Sequence, residues 1–326
     1  MSGPPSVAEV DAADVRAGTV VEVGGVPVGL GAADGVRADA GASLFRHAAT
    51  VAGAPACHLR FDAAAVAVPD RDPDRALDYV DLWWTGPGEL AVRSSAGLTA
   101  RCTPHAIVVG GDAPGLAREF RFVALVCLTH VLARRGRHLL HGAALVVDDA
   151  VLLVVGGTGT GKSTLAYAAH LLGWPVLADD AVLLERRDDR VLARGVPRPV
   201  AVAADVVAGS IAGGRGVPED LRQRVELPPG TLASGERPVV AVAVTSGGSA
   251  DGPGVTPLPG PDVMRELLGA SLALVDADVR PDLFGVCGAL ARLPAWRLRH
   301  GADPAAAVGD ATGRLEDLRR RLRTRS

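Results

Sequence analysis

The stretch Ala150-Val-Leu-Leu-Val-Val155, Gly156-Gly-Thr-Gly-Thr-Gly-Lys-Ser163, Thr164-Leu-Ala-Tyr-Ala-Ala-His-Leu-Leu172 decides the fold. A short apolar run with the look of a buried strand enters a glycine-rich loop, which opens into a helix-forming segment ended by Gly173. Gly156 to Ser163 fits the pattern G-x-x-x-x-G-K-[ST] at every fixed position, in the strand-loop-helix setting that pattern needs. Backbone N–H groups of Gly156, Gly157, Thr158, Gly159, Thr160 and Gly161 can surround phosphates there, and the N-terminus of the helix beginning near Ser163 adds partial positive charge. Lys162 is the one lysine of the chain: of 34 lysines and arginines 33 are arginine, Asn is absent, and Gln occurs only at Gln223. Against that drift a retained ammonium marks a position that needs a compact point charge, where a wide planar fork does not serve. Lys162 is therefore read as a phosphate ligand and Ser163 as a hydroxyl placed to ligate Mg²⁺, with Thr164 completing the nucleotide-binding run.

Upstream, Ala143–Val147 and Ala150–Val155 are two β runs joined by the tight polar turn Asp148-Asp149. His141 lies two residues before the first run, and the hairpin brings that point back to where the loop begins. Downstream, Trp174–Leu177 reads as a short buried strand that delivers Asp179 and Asp180. Consecutive carboxylates on an extended chain point to opposite sides, so one can face a metal and the other a substrate hydroxyl. Asp-Asp also occurs at 148–149 and 188–189 as turn chemistry, so it is the nearby phosphate loop that singles out 179–180. Strands at Val182–Arg186 and Val191–Arg194 leave little room for helices between them, which predicts a mixed α/β sheet with adjacent hairpins and not an alternating βαβ core.

Residues 1–113 read as a β-rich α+β domain of short extended runs: Thr19–Val23, Cys57–Phe61, Tyr79–Trp84, Glu89–Arg93, Leu98–Cys102 and His105–Val109. Residues 114–137 hold a connecting helix, from Pro114 to Gly136. Residues 138–326 form the domain built on the phosphate loop. Within it Pro238–Thr245 reads as a buried strand, Gly247–Pro261 as a Gly/Pro-rich surface loop, Asp262–Leu274 and Pro281–Arg292 as helices, and Trp296–Arg299 as a last strand. The Arg-rich end, Arg314 to Arg325, reads as a solvated amphipathic helix with Leu315, Leu318 and Leu322 on one side.

A length of 326 residues accommodates roughly two domains. The formal charge of −3 argues against a nucleic acid or an anionic membrane engaged through overall charge. Cys57, Cys102, Cys127 and Cys287 show no metal-ligand spacing and read as buried small apolar residues. The start Met-Ser-Gly-Pro-Pro lacks the basic and apolar parts of a signal peptide, and no apolar run is long enough to span a bilayer, so a soluble cytoplasmic protein is expected.

Leu140-His-Gly-Ala-Ala-Leu145, the hairpin, the phosphate loop and Gly173-Trp-Pro-Val-Leu-Ala-Asp-Asp-Ala-Val-Leu-Leu184 together resemble the catalytic core of the HPr kinase/phosphorylase family. The resemblance covers residues 138 to 195 and extends more weakly to Leu293-Pro-Ala-Trp-Arg-Leu-Arg299. It implies a P-loop kinase core related to HPr kinase and to ATP-dependent phosphoenolpyruvate carboxykinase, using ATP and Mg²⁺. Lys162 then binds the β- and γ-phosphates, Ser163 holds Mg²⁺, Asp179 accepts the proton of the attacking hydroxyl, and Asp180 and His141 support metal and phosphate. The implied partner is a protein or peptide with a phosphorylatable hydroxyl, and family relatives often form homo-oligomers. The family segment of the form Leu-Leu-Glu-Ile-Arg-Gly-Leu-Gly, tied to the reverse phosphorylase reaction, has no counterpart beyond Arg194-Gly-Val-Pro-Arg-Pro-Val200, where Arg194 or Arg198 could meet phosphate. The chain resembles the divergent HPr-kinase-like proteins of peptide-biosynthesis clusters. Two other readings stand beside the kinase: a regulatory NTPase without a phosphoacceptor, and a carboxykinase-type enzyme, which needs a further lysine this chain does not have.

Overall fold

The structure, a computed structural model, describes residues 10–45, 48–77, 79–112, 116–196, 201–203, 224–226, 232–246, 253–271, 280–299 and 306–324. The chain divides into two units, residues 1–137 with 273–280 and residues 138–272 with 281–326. Each unit carries a mixed sheet.

The first unit holds helices α1 (Ala12–Ala17), α2 (Gly35–Phe45) and α3 (Leu116–Ala133). Its strands are β1 (Val20–Val23), β2 (Val26–Ala32), β3 (Cys57–Asp62), β4 (Arg75–Leu77), β5 (Val80–Gly86), β6 (Glu89–Ser94), β7 (Thr99–Cys102) and β8 (Ala106–Gly110). They lie in the order β1-β2-β3-β8-β7-β6-β5-β4, with β2, β3 and β8 mutually parallel and the other pairings antiparallel. On β3 the period of two buries Cys57, Leu59 and Phe61 and exposes His58 and Arg60. Phe61 meets Phe120 of α3 edge to face, ring centroids 5.2 Å apart. All four cysteines of the chain are free and buried, and burial pushes the Cys57 and Cys287 thiols up to about 11.

The second unit contains β9 (Arg137–Leu140), β10 (Gly142–Val147), β11 (Ala150–Val155), β12 (Val176–Ala178), β13 (Val182–Arg187), β14 (Arg190–Gly195), β17 (Glu236–Ser246), β18 (Gly254–Pro257) and β19 (Ala295–Arg299), with β15 (Ala201–Ala203) and β16 (Arg224–Glu226) as a separate pair. Its helices are α4 (Lys162–Leu171), α5 (Gly260–Ala270), α6 (Arg280–Leu290) and α7 (Ala307–Arg323). The sheet runs β12-β10-β11-β17-β14-β13-β9, and β19 pairs with both β17 and β18. The adjacent hairpins β10-β11 and β13-β14 are those expected from the sequence. The centre is parallel: β11 pairs along β17, Val155 opposite Val244, and β17 pairs along β19.

Asp148 and Asp149 turn the first hairpin with φ of +46° and +67°, the left-handed values a two-residue turn needs and Asp tolerates. α4 buries Leu165, Ala166 and Ala169 against Leu145, Leu152 and Val154 of that hairpin, and α7 adds Leu315 and Leu318 to the same core. Each fully buried leucine contributes about 2 kcal/mol through loss of apolar surface to water. On α7 Arg319 lies over the Trp174 ring at 5.7 Å, and both Arg319 and Arg323 sit on the Asp148 carboxylate, whereas Arg314 is buried and donates to Arg299 O. The amphipathic helix read from the sequence is present, but Arg314, expected on its solvated face, is turned into the fold. The expected surface loop at Gly247–Pro261 needs correction: residues 247–252 lie outside the described residues, but Gly254–Pro257 is strand β18 and α5 begins at Gly260. Val255 and Thr256 find ladder partners on β19 that the Gly/Pro density of the segment concealed. Among the described residues no helix is long and apolar enough to cross a membrane.

Candidate active site

The hairpin register sets the site. Gly142 pairs with Val155, so His141 stands beside the point where the chain leaves β11 for the glycine loop. The His141 N–H donates to Ala270 O at 2.8 Å, which ties that corner to the end of α5. From Gly156 the loop makes three turns that only glycine takes without strain, with φ of +151° at Gly156, +76° at Gly159 and +93° at Gly161. Its crest, Gly157, Thr158 and Gly159, is exposed. Lys162, by contrast, is only 6% exposed and donates from Nζ to Gly156 O at 2.9 Å and to Gly157 O at 2.7 Å. Burial lowers the Lys162 pKa from its ordinary value, and the Asp179 and Asp180 carboxylates oppose that shift.

α4 starts with no side-chain cap at Gly161, and the first backbone bond of the helix runs from Leu165 N–H to Gly161 O at 2.9 Å. The N–H groups of Lys162, Ser163 and Thr164 therefore precede the helical ladder and have no partner within it. Uncapped amides, a helix dipole and an ammonium collect at one place, an arrangement suited to an anion.

β12 carries the acidic pair to the same end of the sheet. Asp179 is 2% exposed, and its Oδ1 accepts from Ser163 Oγ at 3.3 Å. At Asp180 the chain turns with φ +72°, and the side chain comes out half-exposed beside His141. His141 Nδ1 lies 3.0 Å from Asp180 O and 3.2 Å from Asp180 Oδ1. Both neighbours accept, so Nδ1 carries the proton and Nε2 is left as the second functional nitrogen of the ring. The two carboxylates do diverge, one toward Ser163 and the other toward His141, but they do so through the left-handed turn at Asp180 beyond the end of β12 and not, as expected from the sequence, by alternation along an extended chain.

The structure thereby gathers His141, the loop from Gly156 to Gly161, Lys162, Ser163, Asp179 and Asp180, with Thr164 half-buried in the first turn of α4. Arg194 pairs with Glu236 at 2.9 Å, and Arg198 lies outside the described residues. Sequence reading missed Thr245, at the end of β17. This residue is 4% exposed, and its hydroxyl reaches both Thr160 Oγ1 at 2.7 Å and Val155 O at 3.1 Å.

Among the described residues no group of three or more His, Cys, Asp or Glu side chains is placed to hold a metal. The site offers one hydroxyl and two carboxylates, the hard oxygen donors Mg²⁺ takes. Mg²⁺ is commonly held by one or two carboxylates together with substrate phosphates and water. The donor set fits a magnesium ion that arrives with a nucleotide.

No family model matches the chain, and no curated protein matches it. Among solved structures it is similar to the HPr(Ser) kinase/phosphatase from Coxiella burnetii, with 12% sequence identity over 56% of this chain and 98% of that one, at a TM-score of 0.29. A likeness at that score decides neither activity nor mechanism, which have to be argued from the residues of this chain.

Proposed function

We propose that this protein is an ATP- and Mg²⁺-dependent kinase that transfers the γ-phosphate to a serine or other hydroxyl of a protein or peptide. The observation that carries the reading is the convergence, at one end of one sheet, of a buried lysine in a glycine loop, a Ser163–Asp179 contact and an Asp180–His141 pair. Phosphoryl transfer asks a protein mainly for in-line positioning and charge neutralisation. Lys162 and the amides at the start of α4 bind phosphate oxygens. Asp179 accepts the proton of the attacking hydroxyl, and His141, oriented through Nδ1 by Asp180, presents Nε2 toward the transferring group. Ser163 and Asp180 are the residues assigned to hold Mg²⁺, which supplies neutralisation of phosphate charge.

The Ser163–Asp179 contact favours a second division of labour, in which Asp179 shares the metal with Ser163 and the Asp180–His141 pair takes the proton. The two divisions differ in what asparagine does at each position. With Asp179 as base, Asp179→Asn keeps Mg²⁺-dependent ATP binding and loses transfer. With Asp180 as base, Asp180→Asn shows that behaviour, and Asp179→Asn loses the Mg²⁺ dependence of binding instead.

The test is transfer from γ-labelled ATP with Mg²⁺ into a peptide and protein pool, comparing wild type with both asparagine variants and identifying labelled products by mass spectrometry. Label on a hydroxyl supports the kinase, and its disappearance in the variant that still binds ATP in a Mg²⁺-dependent way assigns the base. Release of free phosphate alone replaces it with the NTPase reading.

A further inference from the structure

Three short oxygen–oxygen contacts meet at the base of the phosphate loop, and only two protons are available to them. Thr160 Oγ1 is 2.7 Å from Gly157 O and 2.7 Å from Thr245 Oγ1, and Thr245 Oγ1 is 3.1 Å from Val155 O. A carbonyl brings no proton and each hydroxyl brings one. If Thr245 donates to Val155 O while Thr160 donates to Gly157 O, the two hydroxyl oxygens face each other at 2.7 Å with nothing between them, so that arrangement is disfavoured. Two remain. In the first, Thr245 donates to Val155 O and Thr160 donates to Thr245, so Gly157 O keeps Lys162 Nζ at 2.7 Å as its short partner beside the long contact from the Thr160 N–H at 3.4 Å. In the second, Thr245 donates to Thr160, Thr160 donates to Gly157 O, and Gly157 O no longer needs the ammonium.

The contact is built into the fold by two further features. Val244 stands opposite Val155 in the parallel ladder, which delivers the next residue, Thr245, to the loop. Gly156 leaves the space the hydroxyls occupy, since a Cβ there would lie 2.3 Å from Thr245 Oγ1 and 2.9 Å from Thr160 Oγ1.

We propose that Thr245 is a positioning residue for the phosphate loop, acting with Thr160 as a two-proton relay whose state follows the location of the Lys162 ammonium. The inference rests on the kinase reading of the same site. With the ammonium on the loop carbonyls the relay takes the first arrangement. When Lys162 turns to a phosphate oxygen, Gly157 O loses that donor, and rotation of two hydroxyls supplies another while the backbone stays where it is. The loop keeps the shape that receives phosphate as its lysine leaves its resting contacts.

Equilibrium binding of ATP with Mg²⁺ to the full chain tests this, at a temperature where circular dichroism shows each variant folded. Thr245→Val keeps the branched shape without the hydroxyl and is expected to weaken ATP about five- to tenfold, the loss of roughly one net hydrogen bond. Thr245→Ser keeps the hydroxyl and is expected to stay within about twofold of wild type by the same count of hydrogen bonds. Thr160→Val should match Thr245→Val, and the double variant should bind no worse than either single one, because both remove the same relay. Rescue by serine and this non-additivity are what a residue that merely fills space would not give. If Thr245→Val does not fold, Thr160→Val, at a half-exposed position, carries the same comparison. Wild type that binds ATP alongside valine variants of unchanged affinity overturns the relay alone. Wild type that does not bind ATP overturns the nucleotide reading and the relay with it.

Discussion

Alanine at Gly156 and at Gly159 should have unlike effects, although both glycines sit in one loop with positive φ. At Gly156 the backbone lies at φ +151°, where side chains are rarely accommodated, and a Cβ would stand 2.3 Å from Thr245 Oγ1 and 2.6 Å from Thr245 O. The second contact is backbone of a central strand and cannot swing aside. Strain of about 1–3 kcal/mol from the dihedral and a similar cost from overpacking give about 2–6 kcal/mol for Gly156→Ala. For a unit of this size that corresponds to a fall in Tm of about 4–24 °C. At Gly159 the φ is +76° and no atom lies within 4 Å of the added carbon. Only the left-handed penalty remains, about 1 kcal/mol and about 2–4 °C. ATP binding should nonetheless fall in Gly159→Ala, because its methyl stands on the exposed crest where phosphate is to lie. Scanning calorimetry of the full chain, with ATP titration of the folded variants, reads both quantities. Equal Tm shifts for the two variants would refute the packing argument, and unchanged ATP affinity in Gly159→Ala would remove phosphate from the crest.

Lys162→Arg should weaken ATP by at least about tenfold, ~1.4 kcal/mol, since a buried position holding a compact ammonium between two carbonyls does not admit the wider fork; equal affinity in a direct titration would overturn the reading of the sole lysine. Asp148→Asn should flatten the acid limb of the unfolding curve. The Arg323 and then the Arg319 guanidinium hold the Asp148 carboxyl below its ordinary 3.8, so the unfolded chain binds that proton first, and the stabilisation is present above 3.8 and lost as pH falls through the lower folded value. Asn keeps the left-handed turn, and chemical denaturation of both proteins from about pH 5 downward makes the comparison, with identical slopes counting against the bridge.

What was legible in the sequence was local. The hairpin, the loop, α4 and its Gly173 end, and the placement of His141 near the loop follow from runs of one or two elements whose periodicity and turn chemistry agree. α2 was not legible because Ala38, Ala40, Gly41 and Ala42 carry no apolar stripe. They are buried for smallness, and a Cβ at Gly41 would come within 3.0 Å of the Phe61 ring. β9 escaped because four residues beside the His141 corner look like its flank. Thr245 had no signal at all, since its role depends on a parallel register between strands far apart in the chain. His138, buried with Nε2 at 2.8 Å from Asp282 Oδ2, was equally silent, a pairing made by β9 and α6 across 144 residues. The acidic pair was legible as a pair, but which carboxylate meets Ser163 and which meets His141 depended on the turn at Asp180.

Thr245 and Val155 O are 90 residues apart along the chain, and the described residues between them include five strands together with α4. Closing so long a loop is the slow part of building a sheet, so during synthesis the glycine loop emerges well before the strand that braces it. The glycine-loop motif is therefore complete in sequence while still loose in space, and on the proposed kinase reading competence for nucleotide arrives only when β17 docks. A nucleotide added to the growing protein would stabilise only chains that have passed that step, so the ligand would act as a check on assembly as well as a reactant.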